Sequence, residues 1–90
     1  MSHPTPCLIR DGLFFAPISH VKIDPILGRR ASHEGTFRLY APEAAQLNVM
    51  DGDCVLDAGN GLKLRIGIRA KHTKSNVPFA DFEFLGILGI

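Results

Sequence analysis

Ser32-His33-Glu34 puts a hydroxyl, an imidazole and a carboxylate on consecutive residues, the three groups of a nucleophilic hydrolase site. Such catalysis needs a base held against the hydroxyl and a third group orienting that base, a geometry that chain neighbours rarely reach. The triplet is therefore read as part of a polar loop, and no catalytic residue is assigned. His3, His20, His33 and His72 are scattered, without the spacing of a metal-binding helix or knuckle. Asp51, Asp53, Asp57 and Asn60 form an oxygen-rich run, but Val55 stands at a ligand position of a calcium loop and the closing Glu is missing. The glycines follow neither nucleotide-binding pattern. The expectation is a protein without metal, cofactor or enzymatic activity.

Arginine is the residue type with chemistry left to offer. Arg29 and Arg30 belong to a segment, 27–35, that reads as a loop, and Ser32 and Gly35 lie in the same segment. Arg38, Lys63, Arg65 and Arg69 fall on the polar faces of two expected strands. If those strands pair, the cations form a stripe suited to phosphate or carboxylate, which guanidinium binds bidentately, with backbone amides near Gly28 and Gly35 assisting. Ten Lys and Arg against nine Asp and Glu give a net charge of only +1, so nucleic acid is not an expected partner and any anion site is local.

The elements that position these residues are short strands. Gly beside Asp or Asn recurs between apolar runs, which is hairpin chemistry. Asp11-Gly12 fits a two-residue turn between strands at 7–10 and 13–16. A further strand is expected over 18–23, closed by Asp24-Pro25, and another over 36–40, where Phe37 and Leu39 alternate with Thr36, Arg38 and Tyr40. Pro42 to Leu47 has the only helical character. Strands follow at 54–57, at 62–69 with Leu62, Leu64, Ile66 and Ile68 on one face, and at 79–85, with a polar loop over 71–78. The fold class is mostly β, a small single-domain antiparallel barrel or sandwich of hairpins with at most one short helix. An extended, proline-bearing arm is expected over 1–6, the barrel over 7–85 and an apolar tail over 86–90.

Ninety residues allow one core, and 46% of them are hydrophobic, which is rich for the interior a domain of this size can close. The surplus sits near the ends. Phe14 and Phe15 are adjacent, so a regular strand exposes one of them, and Ile87, Leu88 and Ile90 belong to a run without polar residues. These five are the expected interface with protein neighbours, in a homo-oligomer or on a larger particle. Cys7 and Cys54 match neither a disulfide framework nor a zinc pair, and the apolar runs are too short to span a bilayer, so a cytoplasmic protein without a membrane partner is expected.

Gly35-Thr36-Phe37-Arg38-Leu39, Met50 to Ala58, Asn60-Gly61 and Ile66-Gly67-Ile68-Arg69-Ala70 with the alternating last strand resemble the capsid cement, or decoration, β-barrel proteins of tailed phages. The resemblance covers roughly Gly35 to Leu85 and implies a non-enzymatic structural subunit, a capsid-decoration or head–tail component that is cytoplasmic before assembly and virion-bound after it. A competing resemblance is to PilZ domains. Ser32 and Gly35 match the second half of their Asp/Asn-x-Ser-x-x-Gly motif, and Phe82-Glu83-Phe84-Leu85 looks like their closing strand. It implies binding of cyclic di-GMP or another phosphate-bearing ligand through Arg29, Arg30, Ser32, Gly35 and Arg38, although Arg30 stands where an acidic or amide residue belongs. Leu47 to Arg69 also looks broadly like a double-psi barrel, which implies no site.

Overall fold

The computed structural model describes residues 5–49 and 54–88. Seven strands and one short helix follow in the order β1 (Cys7–Arg10), β2 (Leu13–Pro17), β3 (Ser19–Pro25), β4 (Ser32–Tyr40), α1 (Glu43–Gln46), β5 (Cys54–Asp57), β6 (Lys63–Thr73) and β7 (Phe79–Leu88). They form a single antiparallel sheet, ordered β2-β1-β5-β6-β7-β4-β3, which curls into a half-barrel. The two edge strands, β2 and β3, are consecutive in the chain. Their junction at Ile18 is buried, and its amide donates to the Pro6 carbonyl at 3.1 Å.

Alternation builds the interior, because every second strand residue faces the same side. Leu8, Leu56, Leu64, Ile66, Ile68, Phe82, Phe84, Phe37 and Leu39 form one buried cluster. Phe37 stacks on Phe82 with ring centroids 5.3 Å apart and tilts against Phe84 at 5.9 Å, so β4 and β7 meet through aromatic contacts. The β1–β2 turn is as expected, with positive φ at both Asp11 and Gly12.

β3 runs through Asp24-Pro25, expected to close it, where the two residues pair with Glu34 and His33, and three other strands outrun the sequence reading by three or more residues. The segment 32–35, expected in a loop, is the start of β4 and pairs with β7 over nine consecutive positions. β6 continues through 70–73, expected to be loop from Lys71, because a bulge at Arg69 interrupts its alternation without ending its pairing with β7. β7 continues past Leu85, so Gly86, Ile87 and Leu88 are strand residues, and the Leu88 amide donates to the Ala31 carbonyl at 2.7 Å. The bulge also reverses which residues face inward. Lys71 lies opposite Phe82, and its Nζ donates to the Ala44 and Leu47 carbonyls at the end of α1, at 2.7 and 3.2 Å.

Candidate functional site

The outer face of the sheet, opposite the core, has two chemically different halves, and β7 sets the division. Its outward residues are Phe79, Asp81 and Glu83 toward one end and Leu85 and Ile87 toward the other. β4 and β6, whose cations would form a stripe if the two strands paired, are separated by β7, and the stripe does not form. Asp81 and Glu83 instead neutralise two of its four cations, Arg38 and Arg69. Arg38 Nε donates to Asp81 Oδ1 at 2.8 Å, and the guanidinium lies 3.9 Å from the centre of the Phe79 ring. Arg69 Nη2 donates to Glu83 Oε1 at 3.1 Å, and the His72 imidazole contacts the other oxygen of the same carboxylate. The Arg38 hydrogen bond holds the Asp81 carboxyl below its ordinary range, while His72 and then Arg69 do the same for Glu83.

Arg65 has no such partner. Its cross-strand neighbours are Val55 on β5 and Ile87 on β7, both apolar, and it makes no ion pair or side-chain hydrogen bond among the described residues. One cross-strand row runs Phe14, Ile9, Val55, Arg65, Ile87, Ser32 over six strands, and the next carries Gly67, Leu85 and Glu34. Leu85 and Ile87 are 43% and 60% exposed, unusual for aliphatic side chains this close together. A Cβ placed on Gly67 meets nothing within 4 Å, and the glycine lines a hollow in the surface. That hollow belongs to a cleft of about 910 Å³ bounded by Asp11-Gly12 and by Ile26 and Arg29.

The residues singled out from sequence are dispersed accordingly. Arg29 and Ser32 line the cleft, Arg30 is exposed in the adjoining turn, and Arg38 lies six residues along β4 from Ser32 on the charged half. Gly35 is closely packed, since a Cβ there would lie 1.8 Å from the Lys22 carbonyl oxygen. Ser32 and Glu34 face outward and His33 inward, so the three do not converge. Phe14 and Ile87 share the outer row, whereas Phe15 is the extra residue of a bulge in β2 and packs partly against the core. Leu88 is 43% exposed at the end of β7. Ile90 lies outside the described residues. Val55, Leu85 and Glu34 were not anticipated, and the signal that finds them is the change from acidic to apolar outward residues along β7.

Other polar groups do not assemble into a second centre. Asp57 is fully buried, with Oδ1 accepting from the Gly59 amide at 2.9 Å and Oδ2 without a partner. Burial, and then the neighbouring Asp57 carboxylate, push the Cys7 thiol up, so it is a poor nucleophile. Among the described residues no three His, Cys, Asp or Glu side chains are placed to hold a metal ion, and no helix is long and apolar enough to cross a membrane. No protein-family model matches the chain, and neither a curated protein nor a solved structure does.

Proposed function

We propose that this chain is a non-enzymatic structural subunit that assembles with copies of itself, in the manner of a capsid-decoration or head–tail component of a phage particle. The observation that carries the reading is the apolar half of the outer face, where Leu85 and Ile87 stand exposed beside Val55 and the hollow at Gly67. Removing such surface from water is the main driving force for association, at roughly 25 cal/mol per Å² of apolar area. Among the described residues there is one sheet and no second layer to cover its outer face.

Ile87→Asp tests the reading and retains the strand, which truncation before Leu88 would not. Light scattering during gel filtration is expected to show a concentration-dependent oligomer for the natural chain and a monomer for the variant. A monomer for both, across the micromolar range, would contradict it. Binding of a phosphate-bearing ligand is the second reading, supported by Arg29 and Ser32 at the cleft. It predicts heat on titration with cyclic di-GMP that is lost in Arg29→Ala.

A further inference from the structure

We infer that the partner covering the apolar half of the outer face is a second copy of this chain, related by a two-fold axis over β7, with Glu34 of each copy paired to Arg65 of the other. The inference rests on the assembly reading and adds the geometry and the specificity of the contact.

The argument begins with what burial of this face requires. Arg65 stands in the same cross-strand row as Val55 and Ile87 and lies between them, so a partner that covers the two aliphatic side chains also covers the guanidinium. A guanidinium removed from water without a counter-charge is strongly unfavourable. The covering surface must therefore present an anion at that point. Neutralisation within the sheet, which serves Arg38 and Arg69, is absent at Arg65 among the described residues, because Ile87 occupies the β7 position that would have to be acidic.

The chain itself carries an acid in a suitable place. Glu34 is next to Leu85 in the neighbouring row, its side chain is 49% exposed, and its ion pair with Arg69 is long, 3.7 Å. Glu34 and Arg65 lie two strands apart and one row apart, a Cα separation of about 12 Å from strand spacing and rise. The midpoint between them falls on β7 between Leu85 and Ile87. A two-fold axis lying in the interface over that midpoint, perpendicular to the line from Glu34 to Arg65, sets each Glu34 against the other copy's Arg65. The same operation carries Leu85 toward the hollow at Gly67 of the other copy. An isologous contact makes every pair twice, so two ion pairs flank the aliphatic centre.

Charge reversal supplies the test, because Glu34→Arg and Arg65→Glu each create like-charge contacts whereas the double variant restores opposite charges. Sedimentation equilibrium of the four full-length chains is expected to show the dimer dissociation constant raised at least tenfold in each single variant. In the double variant it should return to within about threefold of the natural value, a coupling that independent sites do not show. Circular dichroism and thermal melts establish that all four fold, which both side chains' exposed positions favour. Self-association that is insensitive to the single variants, or additive weakening in the double variant, would overturn the pairing while leaving the assembly reading intact. Absence of any self-association in the natural chain would overturn both.

Discussion

Gly35 and Gly67 are both strand glycines, and their surroundings assign them opposite roles. At Gly35 the β3 backbone approaches so closely that a methyl group would overlap the Lys22 carbonyl. Gly35→Ala must therefore separate β3 from β4, and urea denaturation is expected to show a loss of about 3 kcal/mol, at the upper end of overpacking costs. Gly67 opens to empty space, and Gly67→Ala should stabilise the monomer by about 0.5 kcal/mol by restricting the unfolded chain. Both measurements use the same denaturation curve. At Asp81 the folded-state pKa lies below its ordinary value of 3.8 because of Arg38. The pair's contribution is therefore present above that ordinary value and is lost as pH falls through the lowered one. Acid titration of thermal stability should show a smaller decline below about pH 4 in Asp81→Asn than in the natural chain.

Bulges decide what each element presents, and they also decide how much of the fold is legible in the sequence. Strands with unbroken alternation, such as Phe37 to Tyr40 and Lys63 to Ile68, can be read directly, as can the Asp11-Gly12 turn. The C-terminal half of β6 cannot, because the extra residue Arg69 breaks the period of two while the ladder continues. Residues 32–35 read as loop because Ser, His, Glu and Gly have low strand propensity, and pairing with β7 on one side and β3 on the other overrides it. The candidate site was legible only in part. Ile87 is visible as an apolar end residue, but Arg65 and Glu34 become partners only through strand order, which no local pattern encodes. The β6 bulge also predicts a measurable effect at Lys71, whose ammonium serves the terminal carbonyls of α1. Lys71→Met keeps the aliphatic stem near Phe82 but removes both hydrogen bonds, and a loss of about 2 kcal/mol is expected in denaturation experiments.

The whole molecule is a sheet with one covered face. Curling brings the inner aromatic and aliphatic residues together, and the outer face is left to the side chains that alternation sends there. Along β7 those are first acidic and then aliphatic, so charge pairs stay within one chain at one end while the other end keeps exposed Leu85 and Ile87 beside Arg65, which has no ion pair among the described residues. An assembly built on that end combines apolar burial with a charge requirement, which gives a symmetric contact selectivity as well as affinity. Sedimentation equilibrium of the unsubstituted 90-residue chain from about 1 to 300 µM, a span that brackets association free energies near 5 to 8 kcal/mol, tests this most directly. A reversible monomer–dimer equilibrium abolished by Ile87→Asp is the predicted result. A single monomeric species throughout that range would contradict it.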